Sequence, residues 1–179
     1  MLSGGAGLSL ARIASAQDVA EAGAGAAELP ERSLELFNTH TSETLRVVYR
    51  RGTRYDQAAL VRLNDVLRDH RSGQSHEIDV RLFDQLHDLA LAAHCDARYE
   101  IISGYRSPES NAKMSARPGS GVAKKSLHMQ GRALDVRLKG CPCSDLRDLA
   151  LAAKQGGVGY YQRSDFVHID TGAFRSWVG

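Results

Sequence analysis

Apolar residues recur along this chain in two rhythms, one of period two and one near 3.6. Ser33-Leu34-Glu35-Leu36-Phe37-Asn38 alternates in part, and Thr44-Leu45-Arg46-Val47-Val48-Tyr49 is β-branched and aromatic. The polar run Thr39 to Glu43 separates them, so the pair predicts a β-hairpin. Over about residues 56–70 the period becomes helical, with Ala59, Leu60, Leu63, Val66 and Leu67 on one face. A second helix is predicted over 79–94, with Asp79 as N-cap and Leu82, Phe83, Leu86, Leu89 and Ala90 as its buried stripe. Arg98 to Ile102 reads as a strand running into Ser103-Gly104. Ser107-Pro108-Glu109 starts a short helix, with the serine as N-cap and proline in the first helical position. Residues 117–125, rich in Gly, Ser, Pro and Lys, read as a mobile loop. Ala133 to Leu138 is a strand and 144–155 a third long helix, closed by Gly156-Gly157. Val158 to Tyr161 and Phe166 to Asp170 form a last hairpin. The predicted class is α+β, with a small, mainly antiparallel sheet packed by helices.

Composition bounds this picture. The 179 residues correspond to about one domain, and 42% hydrophobic residues suffice for one core without disulfides. A formal charge of +2 argues against a nucleic-acid partner bound through a strong positive field. No run of 18 apolar residues is present, so no membrane span is expected. Residues 1–29 hold nine Ala, five Gly and no aromatic residue, too little to build a core. Residues 1–30 are therefore assigned to a leader, and 31–179 to the folded domain. Ala14-Ser15-Ala16 fits a signal-peptidase site, although the basic start of an export signal is missing. Cys95, Cys141 and Cys143 are an odd set, read as packing or loop residues.

Of seven histidines, His40, His70, His76, His87 and His94 sit in polar loops or on amphipathic helices, and structural or surface roles are expected for them. His128 and His168 have different neighbours. His128 precedes Asp135 by seven residues, with Gly131 allowing a sharp turn between them. In the strand that follows, Leu134, Val136 and Leu138 share the apolar face, so Asp135 projects from the other. By the same alternation, His168 and Asp170 point away from Val167 and Ile169. If the two strands are neighbours, His128, Asp135 and His168 converge. Two imidazoles and a carboxylate are a three-ligand set for zinc. A buried His–Asp ion pair beside an unrelated histidine accounts for the spacing as well, and on spacing alone that reading leads.

Ser126-x-His128-x-x-Gly131-x-Ala133-x-Asp135 resembles the signature of the D-Ala-D-Ala-type zinc peptidases, the group that includes lysostaphin-like enzymes and the hedgehog signalling domain. Ser103-Gly104-Tyr105-Arg106-Ser107 is similar to that family's upstream element. Gly156-Gly157-Val158-Gly159-Tyr160-Tyr161, Phe166-Val167-His168-x-Asp170-Thr171-Gly172 and the Leu36 to Thr41 hairpin resemble its murein endopeptidase K branch. The resemblance covers about residues 31–177. It implies one zinc ion per chain on His128, Asp135 and His168, and Arg106 as the group that stabilises the charged tetrahedral species. It places the general base at Asp165, three residues before the last ligand. Strand alternation turns Asp165 away from His168 unless the chain bends there. Asp170, on the ligand face, is the alternative base or a partner of a ligand imidazole. Ser126, Gln130 and Tyr105 are further candidates for supporting or substrate contacts.

The implied reaction is hydrolysis of peptide cross-links in peptidoglycan, with stem peptides as substrate, in the periplasm or otherwise outside the cytoplasm. A carboxypeptidase and a non-catalytic wall-binding domain are the competing expectations. A monomer is expected.

Overall fold

The expected first hairpin is present as β1 (Glu31–Asn38) and β2 (Thr44–Arg51) in the computed structural model, which describes residues 29–179. The expected leader lies outside the described residues except for Leu29 and Pro30. A two-residue strand, β3 (Arg54–Tyr55), folds back on β2, and Asp56 then caps α1 (Gln57–Val66) by accepting from Ala59 N.

The helical period of α1 runs on to Leu67 and beyond, but the helix stops at Val66. Its last carbonyls have tertiary partners instead. Asn38 Nδ2 donates to Val66 O at 2.8 Å, and Tyr105 N donates to Leu67 O at 2.8 Å. The second contact needs a glycine at 104, because a Cβ there would meet Leu67 O at 2.3 Å. The next helix, α2 (Val80–Ala92), follows the prediction, with Asp79 as its cap.

The rest of the chain alternates between sheet and short helices: β4 (Arg98–Ser103), α3 (Pro108–Ser115), a 3-10 turn (Leu127–Gln130), β5 (Ala133–Leu138), α4 (Cys143–Ala153), β6 (Gly157–Tyr161), β7 (Phe166–Asp170) and β8 (Arg175–Val178). All eight strands form one sheet in the order β3-β2-β1-β4-β5-β7-β6-β8. The sheet is larger than the sequence suggests and less uniform. β1 runs parallel to β4, and β6 runs parallel to β8. These pairings join segments far apart in sequence, which a reading of local hairpins does not reveal.

One face of the sheet is the core. Leu34, Leu36, Tyr99, Ile101, Leu134, Val136, Val158, Val167 and Ile169 are buried on it. Leu82, Phe83 and Leu86 of α2 and Leu146 and Ala150 of α4 belong to the same cluster. Each such Leu or Phe contributes roughly 1.5–3 kcal/mol of burial free energy. The partly buried Cys95 and Cys141 pack against this cluster, the buried Cys143 belongs to it, and all three are free thiols.

The opposite face carries the polar residues in register. Ser103, Asp135, His168, Gly159 and Trp177 stand opposite one another on β4, β5, β7, β6 and β8, a single row across five strands. Gly156-Gly157 does not end α4. Lys154, in a left-handed conformation at φ 54°, is its C-cap.

Candidate metal centre and its groove

The row across the sheet places Asp135 beside His168, and the 3-10 turn brings His128 above them. Ser126 Oγ caps that turn by accepting from His128 N at 3.3 Å. Gly131 closes it at φ 63°, where a Cβ would strike Glu77 O at 2.0 Å. The three side chains are buried, at 3%, 7% and 8% exposure for His128, Asp135 and His168.

Their outer atoms are already occupied. His128 Nδ1 lies 2.8 Å from Gly104 O, and His168 Nε2 lies 3.1 Å from Asp170 Oδ2. Both partners are acceptors, which assigns the proton of each neutral imidazole to that outer nitrogen. The inner atoms are then lone pairs. His128 Nε2 is 3.3 Å from His168 Nδ1 and 3.3 Å from Asp135 Oδ1, and His168 Nδ1 is 2.9 Å from Asp135 Oδ1. Three acceptors facing one another call for a cation, either a metal ion or the proton on His168 that a metal ion would displace. Ligands about 2.0 Å from a tetrahedral centre stand about 3.3 Å apart, so the donor set and its spacing fit zinc with one coordination position left open. Among the described residues this is the one group of His, Cys, Asp and Glu so arranged. Without a metal, burial opposes charge on His168, but hydrogen bonds to Asp135 and Asp170 push its pKa up to about 9. Burial also opposes charge on Asp135, and the two histidines hold its carboxyl well below the usual range.

Asp170 is an anchor and does not face the groove. It is fully buried, and its oxygens accept from His168, Gly157 N, Gly172 N and Arg175. Two glycines make this possible. A Cβ at Gly157 would lie 2.5 Å from Asp170 Oδ2 and from Arg175 Nη1, and one at Gly159 would lie 2.5 Å from the Trp177 ring. Arg175 and Trp177 thus cross over β6 to reach Asp170 and His168. The Trp177 ring stands 5.1 Å from the His168 ring. Its Nε1 donates to Tyr161 Oη at 3.1 Å, and Tyr161 stacks on Phe166 at 4.5 Å.

Arg106 enters from the other side. Its guanidinium donates to Asn111 Oδ1 and Ser103 Oγ and stands 4.0 Å from Asp135 Oδ2, while its Nε is buried with no partner. Asp69 sets this segment by accepting from both Ser107 N and Ser107 Oγ. That carboxylate escaped the sequence reading. It falls inside the helix expected over 56–70, where an acidic residue off the apolar face reads as merely exposed. Asn111 also donates to the carbonyls of Ala123 and Lys124, tying down the end of the 117–125 loop. An open groove of about 700 Å³ runs over the cluster, lined by that loop, Arg106, Tyr161 and Trp177.

The remaining candidates fall elsewhere. Asp165 sits in the turn between β6 and β7 at φ 50°, with its side chain exposed and 3.7 Å from Arg137 Nε. It lies beside Cys143, whose thiol is pushed up to about 12 by burial and by that carboxylate. The bend needed to turn Asp165 toward His168 is therefore present, but it aims the side chain at Arg137, away from the groove. Tyr105 belongs to the core and stacks on His76 at 4.7 Å. Gln130 is exposed beside Arg132. His40, assigned a structural or surface role, lines the groove and stacks on His70 at 3.8 Å.

Fold and site together define a one-sheet α+β protein with a three-donor group that could hold a metal ion at the floor of an open groove. The chain belongs to the family described as peptidoglycan L,D-endopeptidase MepK, whose model matches residues 26–177. It is 44% identical to the peptidoglycan L,D-endopeptidase MepK of Escherichia coli K12 and to that of Shigella flexneri, each over 146 residues, 82% of this chain and 80% of the relative. It is 38% identical to the probable peptidoglycan L,D-endopeptidase MepK of Haemophilus influenzae over 149 residues, 83% of this chain and 80% of that one. No solved structure matches.

Proposed function

We propose that this chain is a zinc-dependent endopeptidase that hydrolyses peptide cross-links of peptidoglycan, as the names of its relatives state for them. The observation that carries the reading is the convergence of three buried acceptors, His128 Nε2, Asp135 Oδ1 and His168 Nδ1, beside the desolvated guanidinium of Arg106. His128, Asp135 and His168 would hold the ion, which supplies Lewis acidity to a scissile carbonyl and to the attacking water.

The chain's own residues do the rest. Arg106, held by Ser103 and Asn111, presents positive charge where the carbonyl oxygen becomes an oxyanion. Asp170 and Gly104 hold the ligand imidazoles in the required tautomers. Asp165 does not line the groove, so this reading assigns it no proton transfer. Asp135, itself a ligand, is the single carboxylate lining the groove among the described residues. Tyr161, fixed by Phe166 and accepting from Trp177, is free to donate its own hydroxyl proton. Its place of work is outside the cytoplasm, where peptidoglycan lies.

The test is metal content and digestion of cross-linked muropeptides on one preparation. The proposal expects about one zinc per chain, release of monomeric muropeptides, and loss of both with a chelator. Product masses separate cross-link cleavage from trimming of terminal residues. Binding to sacculi with unchanged muropeptides would remove the enzyme reading.

A further inference from the structure

Four cationic side chains line the groove, Arg71, Arg106, Lys125 and Arg175. Arg71 lines it from the segment after α1, with an exposed side chain. Its guanidinium makes no hydrogen bond or ion pair among the described residues, yet its backbone is held. Arg71 N donates to Asp69 Oδ1 at 3.0 Å, and Asp69 Oδ2 accepts from Ser107 N at 2.9 Å and Ser107 Oγ at 2.8 Å. One buried carboxylate thus fixes Arg71 relative to the residue that follows Arg106. The two guanidiniums line one groove, and Arg71 opposes charge on both Arg106 and His70. Lys125, on the loop at residues 117–125, lines the same groove and also has no ion-pair partner among the described residues.

Arg106 Nε is buried without an acceptor, an unfilled donor in a side chain only 8% exposed. Arg175, the fourth cation lining the groove, is already paired with Asp170. Asp135 is engaged with the two histidines and stands 4.0 Å from Arg106, but makes no ion pair with Arg71 or Lys125. Among the described residues, Arg71 and Lys125 have no anionic side chain paired with them in the groove, and an anionic ligand bound there lowers the free energy of the site. Arginine suits a carboxylate, which it meets with two parallel N–H donors.

We infer that Arg71, with Lys125 lining the same groove, forms a subsite for a free carboxylate of the substrate, next to the amide presented to Arg106 and the metal cluster. This rests on the proposed peptidase function and adds a requirement to it: the peptide is recognised by a carboxylate that is not part of the bond being cut.

The experiment compares two cross-linked muropeptides, one with free carboxylates beside the cross-link and one with them amidated. Each is offered to the zinc-loaded wild type and to Arg71→Ala, Arg71→Lys and Arg54→Ala. Arg54 is an exposed arginine on β3 that does not line the groove. A charge-assisted hydrogen bond is worth about tenfold or more in binding. The wild type should lose about that in kcat/KM on the amidated peptide, chiefly through KM. Arg71→Ala should lose as much on the free carboxylate and no longer tell the two peptides apart. Arg71→Lys should restore part of the preference, and Arg54→Ala should behave as wild type. Equal cleavage of both peptides by the wild type, or unchanged discrimination by Arg71→Ala, overturns the subsite and leaves the endopeptidase intact. Calorimetric binding of both peptides to the metal-free protein reads the subsite separately. If neither peptide is cut, the proposed reaction fails, and the binding preference decides the subsite on its own.

Discussion

His168 Nε2 and Asp170 Oδ2 are 3.1 Å apart, and that contact turns the other imidazole nitrogen toward Asp135 and His128. Both residues lie on the polar face of one strand, two positions apart. Removing the carboxylate frees the ring to rotate or change tautomer. Asp170→Ala should weaken zinc binding by about 10–100-fold, the cost usual for losing the partner of a metal-bound histidine. Competition against a chromogenic chelator measures it. Unchanged affinity in a folded variant would show that Asp170 does not orient the ligand.

Gly159 separates His168 from Trp177 in the row across the sheet. A methyl group at 159 would lie 2.5 Å from the indole, and rigid backbone on both sides leaves the ring as the part that must move. Gly159→Ala should displace Trp177, break its hydrogen bond to Tyr161 and change tryptophan fluorescence. Activity should fall at least tenfold with zinc content nearly retained. Tyr161→Phe, which keeps the stack on Phe166, should lower kcat more than it changes KM.

Arg106 and Asp165 should part company. Arg106→Ala removes the groove's desolvated cation and should cost about 10²–10³ in kcat, the range found for a lost oxyanion donor. Asp165→Asn alters an exposed turn and should leave kcat within about threefold. Steady-state kinetics on a muropeptide dimer checks both. A strong loss in Asp165→Asn would mean that the turn closes over the groove when substrate binds.

The segment joining α1 to α2 should make the protein acid-sensitive. Burial, then the charges of Arg71 and His40, push the pKa of His70 down to about 4. An unfolded chain protonates His70 near 6.5, so between about pH 6.5 and 4 the unfolded state binds more protons and stability falls as pH falls. Asp69 continues the trend. Burial opposes its charge, but hydrogen bonds from Ser110, Ser107 and Arg71 hold its pKa below the usual carboxylate range. Its contribution is complete above the unfolded value and is lost as pH drops through the folded one. Urea midpoints against pH should therefore decline from pH 6.5 downward, and His70→Gln should flatten the part of the slope above pH 4.

Much of the site was legible because it sits on a strand pair with strict alternation. Leu134, Val136, Val167 and Ile169 point one way, so Asp135, His168 and Asp170 had to point the other. Ser107-Pro108 and Asp79 marked their helices through local capping chemistry, and both were found as caps. Asp165 was proposed from the resemblance and not from alternation; at φ 50° in the turn before β7 its side chain faces Arg137 and does not line the groove. β8 was missed because Arg175-Ser176-Trp177-Val178 is short, and its partner β6 lies across a parallel pairing.

The sequence by itself determined which faces Asp135, His168 and Asp170 occupy and the helices that bury the opposite side, since those follow from periodicity within single segments; the candidate ligand set came from the resemblance. Only the tertiary structure decided what surrounds the ligands. Asp69 under Arg71 and Ser107, Gly157 and Gly159 beneath Arg175 and Trp177, and His40 at the groove all depend on contacts between distant segments. Such contacts leave no period in the chain, because they are set by sheet register and close approach and not by which face of a helix or strand a residue occupies.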